Sequence, residues 1–290
     1  MTATERAASG GLLAAMRPRQ WTKNLLLYAG IVFAAELDDP ERWAQATAAF
    51  VAYCLASSAA YLFNDVRDAE HDRLHPLKRS RPIASGHLRP NRALNVAGIL
   101  AALAFAIVAP LGWGSLAYMA GFVALQAAYS FGLKHIPLID VMAISGLFVI
   151  RAAAGAEAVD VRISPWLIVC TALLALFLAL AKRRGELATA AANPRRPVLS
   201  GYSLELVDQL VTVVAACTIV AYALYTFEAR ESSAMMATIP FVVYGLFRYM
   251  QLMHGEDLGE EPENVLLTDV PILATIAGWA VTSAVILALV

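Results

Sequence analysis

The chain has 290 residues, 59% hydrophobic and 16% charged, with a mean hydropathy of +0.61. A soluble chain gives about a quarter of its residues to Asp, Glu, Lys and Arg, and the deficit here runs the whole length, so a water-soluble globule and a disordered chain are excluded. With 22 basic against 23 acidic residues the formal charge is −1, which excludes a nucleic-acid partner.

Apolar stretches long enough to cross about 30 Å of hydrocarbon as helices recur at 23–36, 44–64, 93–110, 114–131, 138–158, 164–181, 208–227, 235–252 and 271–289. The expectation is therefore an all-α polytopic membrane protein with nine transmembrane helices in a single domain, 1–290. Residues 2–16 lack the basic start and apolar run of a cleavable signal peptide. Eighteen of the 22 Lys and Arg fall before span 1 and in the loops after spans 2, 4, 6 and 8; Arg42, Arg162 and Arg230 fall on the other side and Arg151 lies inside span 5. The positive-inside rule then places the N-terminus and the long polar loops in the cytoplasm and Val290 outside. Cys54, Cys170 and Cys217 all sit in apolar runs and read as small core residues.

The end of span 2 carries Asn64, Asp65, Asp68 and Asp72. On a continuous helix Asp65 and Asp72 project within about 20° of each other, and Asp68 lies about 60° from Asp65. Three carboxylates on one stripe repel unless a cation neutralises them. Hard oxygen ligands suit Mg²⁺, which binds through few carboxylates plus a substrate's phosphates; Arg67, Arg73 and Lys78 are the alternative source of positive charge. Lys78 and Arg81 follow on a turn fixed by Pro76, Pro82 and Gly86, beside the acids, where they can hold phosphate oxygens. Headgroup contact is the other reading of this basic segment, and the preferred one for Arg89 and Arg92.

Further polar residues interrupt the apolar pattern. Lys23 and Asn24 open span 1 behind an interfacial Trp21. Tyr129 and Lys134 end span 4, and Asp140 opens span 5, either as a ligand or as a helix cap. Arg151 stands mid-span, where an ionisable residue is functional by default, or is paired internally with Glu157. Lys182, Arg183, Arg184 and Glu186 end span 6, and Arg195, Arg196, Tyr202 and Asp208 follow. This basic cluster suits an anionic group as well as topology. The acidic stretch 256–263 carries no assigned chemistry.

The motif Asn64-Asp65-x-x-Asp68-x-x-x-Asp72, the sequel Arg81-Pro-Ile-Ala-Ser-Gly86, and Tyr129, Lys134 and Asp140 resemble the UbiA superfamily of intramembrane prenyltransferases over nearly the whole chain. The resemblance implies a nine-helix bundle with a cytoplasmic-facing active site in the plasma membrane, Mg²⁺ as cofactor and a polyprenyl substrate. One departure is informative: the DxxxD motif usual after span 6 is missing, and Lys182-Arg-Arg-Gly-Glu186 stands there. With the segment Arg17-Pro-Arg-Gln-Trp-Thr-Lys-Asn24 and Phe247-Arg-Tyr249, this resembles the superfamily's decaprenyl-phosphate phosphoribosyltransferase branch. That branch transfers 5-phosphoribose from phosphoribosyl pyrophosphate to decaprenyl phosphate, toward cell-wall arabinan. Asp269-Val-Pro271 departs from the branch, away from the motifs.

The resemblance implies Mg²⁺ on Asp65 and Asp68, with Asn64 and Asp72, opposite a departing pyrophosphate met by Lys78, Arg81 and Lys134. Lys182, Arg183 and Arg184, with Lys23 and Arg151, are expected to cradle the lipid phosphate, and Tyr129, Asp140, Glu186 and Tyr202 to complete the substrate contacts. The rival readings are an aromatic or haem prenyltransferase using a polyprenyl diphosphate, and a transporter or lipid-binding protein without chemistry. The transporter predicts paired half-helices and repeats, which the sequence lacks. A homo-oligomer is compatible with every reading.

Overall fold

A computed structural model describes residues 11–33, 38–74, 78–162, 164–188, 197–228, 233–255, 265 and 268–289. Arg195, Arg196, Arg230 and the acidic stretch 256–263 lie outside them. The described residues form helices and turns, with no strand among them.

The α-helices include α1 (Ala29–Phe33), α2 (Pro40–Arg67), α3 (Ala69–Leu74), α4 (Pro90–Val108), α5 (Trp113–Phe131), α6 (Ile139–Ala158), α7 (Pro165–Ala188), α8 (Leu204–Glu228), α9 (Ile239–Gly255) and α10 (Val270–Leu289). Among the described residues, five helical stretches are long and apolar enough to cross a membrane: Pro40–Arg67, Pro90–Leu111, Ile139–Ala158, Pro165–Ala188 and Leu204–Phe227. Their starts are written in the sequence. Pro40, Pro90 and Pro165 occupy first-turn positions, where the missing N–H is no loss. Asp39 caps α2 by accepting from the backbone N–H groups of Glu41 and Arg42.

The chain divides into two compact units. The first comprises 1–133 and 147–163, the second 134–146 and 164–290. In the first, the buried face of α2 is rich in small residues, of which Ala49, Ala52 and Ala56 pack with Leu27, Met119 and Phe122. Small side chains let helix backbones approach closely where the surroundings are as apolar as the interface. The closest approach is at Gly155, where an added Cβ would lie 2.1 Å from the carbonyl oxygen of Leu27. The core of the second unit gathers Phe177, Leu180, Val207, Val211, Tyr249 and Leu252. Large apolar side chains such as Ile99, Val213, Phe247 and Val281 point outward, as a lipid-facing surface requires.

Span 1 departs from expectation. Instead of an α-helix over 23–36, the chain forms an eleven-residue 3-10 helix, Pro18–Tyr28, followed by the five-residue α1. The physical reason is the spacing of its anchors. Trp21, Asn24 and Leu27 recur every three residues and so share one stripe of a three-residue turn. Trp21 Nε1 donates to Ser58 Oγ, Asn24 Nδ2 to Cys54 Sγ, and Leu27 is fully buried. Lys182 to Glu186, expected where a loop begins, lie on α7, which continues to Ala188. Cys54 is buried as expected, whereas Cys217 is exposed.

Candidate active site

The acidic motif straddles a break. Helix α2 ends at Arg67, Asp68 leaves helical geometry at φ −88° and ψ 2°, and α3 starts at Ala69. The stripe is thus not one continuous helix face, yet Asp65 and Asp72 still converge. Arg81 Nη1 donates to Asp65 Oδ1 at 3.3 Å and to Asp72 Oδ2 at 2.7 Å, so a single nitrogen bridges the two carboxylates. Both acids are buried, Asp65 at 2% exposure. Arg17 Nη2 reaches the same Asp65 oxygen at 2.5 Å while its guanidinium lies over the Tyr61 ring. Asp68 instead accepts from Asn64 Nδ2 at 3.0 Å. Two pairs therefore form, Asp65 with Asp72 and Asn64 with Asp68. Among the described residues no three His, Cys, Asp or Glu side chains gather as a metal cluster.

Two of the cations expected from proximity in sequence, Arg67 and Arg73, turn elsewhere. Arg67 donates to the backbone carbonyls of Ser130 and Phe131 and covers the Phe131 ring; Arg73 donates to Ala84 O. Arg17 is the residue the sequence reading passed over. Its backbone takes φ 54° and ψ 62°, an uncommon conformation for a residue with a Cβ. No pattern in the sequence announces that turn or the 48-residue separation it bridges.

Arg151 is buried in the first unit. Its Nε donates to Asn24 Oδ1 at 2.7 Å and its Nη1 to Leu147 O at 3.0 Å, with the guanidinium over the Phe122 and Phe148 rings. The expected ion pair with Glu157 is not among its contacts in the described residues; Glu157 is directed at Gly114 instead. Lys23 lies on the 3-10 helix beside Asn24, Lys78 opens a short 3-10 turn before Arg81, and Tyr129 is on the last turn of α5. An apolar cavity of about 370 Å³ opens between α2, α4 and α5, walled by small residues such as Ala56, Ala60, Ala97 and Gly98 and ended by Phe63 and Phe131.

In the second unit, four expected site residues meet. Arg183 Nε donates to Asp140 Oδ2 at 2.7 Å, and its Nη1 donates to Glu186. The Tyr202 hydroxyl donates to Asp140 Oδ1 at 2.6 Å and accepts from the Leu138 backbone N–H at 2.6 Å. Burial and the Asp140 carboxylate push the Tyr202 hydroxyl above its ordinary pKa, so it stays a donor. Leu138 takes φ 67°, and Tyr202 clamps that turn at the start of α6. Asp140 is thus an ion-pair partner rather than a helix cap. Arg184 pairs with Asp208 at 2.6 Å and donates to Met253 O. Lys182 stands beside these on α7, and Lys134 lies on the 3-10 turn Leu133–His135.

The chain matches the UbiA prenyltransferase family over residues 25–268. It belongs to that family. The UbiA fold is also that of a homologue from Archaeoglobus fulgidus, solved with GPP and Mg²⁺, which superposes with a TM-score of 0.74 at 20% identity over 96% of this chain and 99% of that one. The decaprenyl-phosphate phosphoribosyltransferase of Mycolicibacterium smegmatis is 37% identical, with 93% of this chain and 90% of that protein covered. Its namesake from Mycobacterium tuberculosis is 34% identical, covering 94% and 92%. The chain is therefore an all-helical UbiA integral membrane protein and a transferase.

Proposed function

We propose that the protein transfers 5-phosphoribose from phosphoribosyl pyrophosphate to decaprenyl phosphate and releases pyrophosphate. Identity of 37% spread over nine-tenths of both chains carries this reading. The nine-span arrangement goes with it, the Lys- and Arg-rich loops and the active site facing the cytoplasm from the plasma membrane.

The first unit handles the donor. Asp65 and Asp72 present buried, convergent carboxylate oxygens, with Asn64 and Asp68 flanking, and this hard oxygen set suits Mg²⁺. When bound there, the metal neutralises charge on the leaving pyrophosphate. Arg17, Arg81 and Lys78 supply cationic N–H donors to its oxygens, favouring departure from C1 of the ribose as positive charge builds there. The nucleophile is a phosphate oxygen already ionised at pH 7, so no strong general base is required. In the second unit Lys182 is the candidate for an acceptor phosphate; in the first, the apolar cavity between α2, α4 and α5 suits hydrocarbon of a polyprenyl tail.

The test is direct. Purified protein with Mg²⁺, labelled phosphoribosyl pyrophosphate and decaprenyl phosphate yields a labelled lipid, and chelation stops it. Asp65→Asn lowers turnover at least about 100-fold, by analogy with loss of one strong charge-stabilising contact. Product formed only from a prenyl diphosphate and an aromatic acceptor refutes the proposal.

A further inference from the structure

The acidic pair of the first unit is already neutral: two buried carboxylates face two guanidiniums. The two partners differ in access. Asp65 and Asp72 are buried, whereas Arg17 and Arg81 keep 28% and 26% of their side chains exposed. A cation that reaches the carboxylates must therefore displace guanidiniums that stand on the open side. A displaced guanidinium leaves a buried carboxylate contact and is available to another anion on the open side. The backbone of Arg17 cannot follow its side chain away. Ser58 Oγ holds Met16 O at 3.1 Å and receives Trp21 Nε1 at 3.0 Å, which fixes the chain on either side of Arg17. The guanidinium can then only pivot about a fixed base.

Resting on the reading of Asp65 and Asp72 as the metal site, we infer that Arg17 and Arg81 are exchange cations. They pair with the carboxylates and pass to the pyrophosphate oxygens of the donor as the metal takes their place. Ion pairing is conserved in the exchange, since each carboxylate trades a guanidinium for metal and each guanidinium trades a carboxylate for phosphate. Metal alone releases two guanidiniums to water, and pyrophosphate alone must draw them away from carboxylates they already satisfy. Metal and pyrophosphate thus bind cooperatively, each raising the affinity for the other by the same factor. Arg17 is a specificity-determining residue for the metal-bound diphosphate group.

Mn²⁺, whose free-ion paramagnetic resonance signal disappears on binding, reports metal affinity without turnover. In the detergent-purified full chain, adding inorganic pyrophosphate tightens Mn²⁺ binding at least about tenfold. Arg17→Ala binds Mn²⁺ alone more tightly than the wild type, because a competitor is gone, and loses most of the enhancement by pyrophosphate. Arg17→Gln, which keeps the side chain's length and polarity, behaves like Arg17→Ala, and Arg17→Lys retains part of the enhancement. If both neutral variants bind Mn²⁺ alone no better than the wild type and keep the full enhancement, the exchange is overturned. Asp65→Asn separates the two ideas. Its loss of Mn²⁺ binding alongside inert Arg17 variants overturns the exchange alone, whereas unchanged Mn²⁺ binding in Asp65→Asn overturns the metal site itself.

Discussion

Asp140→Asn removes one charge from a pair in which Arg183 is 1% exposed and Asp140 is fully buried, while keeping size and shape. Breaking a buried ion pair from one side costs about 3–5 kcal/mol, because the remaining charge is stranded. Here the lower end, about 3 kcal/mol, applies, since Glu186 still faces the guanidinium. At about 2–4 °C per kcal/mol for a chain of this size, the melting temperature falls by about 6–12 °C. Tyr202→Phe leaves the Leu138 N–H without its acceptor and takes one donor from Asp140. That costs about 1–3 kcal/mol and a correspondingly smaller shift. Tryptophan fluorescence of the detergent-purified protein during heating, alongside lipid-product formation at a temperature below both transitions, measures the two effects separately. The expected order of melting temperatures is wild type, Tyr202→Phe, Asp140→Asn, with product formed by each variant while folded. If Asp140→Asn melts like the wild type but has lost activity, Asp140 serves the substrate rather than Arg183, and the reasoning fails.

Lys182→Ala lowers kcat/KM for decaprenyl phosphate about 10–100-fold, the worth of one charge-assisted contact; an unchanged KM for the lipid removes Lys182 from the acceptor site. Gly98→Leu enters the apolar cavity without a backbone clash, because nothing lies within 4 Å of its Cβ position, so the protein folds normally and the KM for decaprenyl phosphate rises more than that for a short-chain analogue. Equal effects on both acceptors place the tail elsewhere. The Tyr202 hydroxyl, raised above the ordinary value of 10.0, favours the folded state fully below about pH 10, and that contribution is lost as the pH rises from there toward the folded value. Wild type minus Tyr202→Phe therefore shows no tyrosinate absorbance at pH 10 and a steeper alkaline loss of stability above it.

Helices α2, α4, α6, α7 and α8 were legible because each is a long apolar run, and Pro40, Pro90 and Pro165 mark the starts of three of them. The first segment was not, because its three-residue spacing of Trp21, Asn24 and Leu27 takes effect only through Ser58, Cys54 and the neighbouring core, residues distant in sequence. The convergence of Asp65 and Asp72 survived the helix break at Asp68, since their seven-residue spacing placed them on one side and Arg81 drew them together. That Arg17 would answer them was invisible. Sequence proximity favoured Arg67 and Arg73, yet each is held by carbonyls exposed at helix or turn ends, while Arg17 arrives from a separate segment. Likewise, Lys182, Arg183 and Arg184 read as one basic cluster. Successive residues on a helix are turned about 100° apart, and that rotation commits Arg183 to Asp140 and Glu186 and Arg184 to Asp208.

Each unit bridges two carboxylates with one guanidinium: Arg81 between Asp65 and Asp72, and Arg183 between Asp140 and Glu186. Equal charge counts do not make equal roles, because exposure decides what can replace the cation. Arg183, at 1% exposure, has no solvent route to another anion, and Tyr202 occupies the second Asp140 oxygen. Removing it strands two acids, so the arrangement behaves as a permanent lock on the turn before α6. Arg81, at 26%, borders the open side, and the oxygens it holds converge on one nitrogen. The same chemistry is therefore rigid in one unit and exchangeable in the other. Water access, rather than the number of charges, separates the Arg183 bridge from the Arg81 bridge.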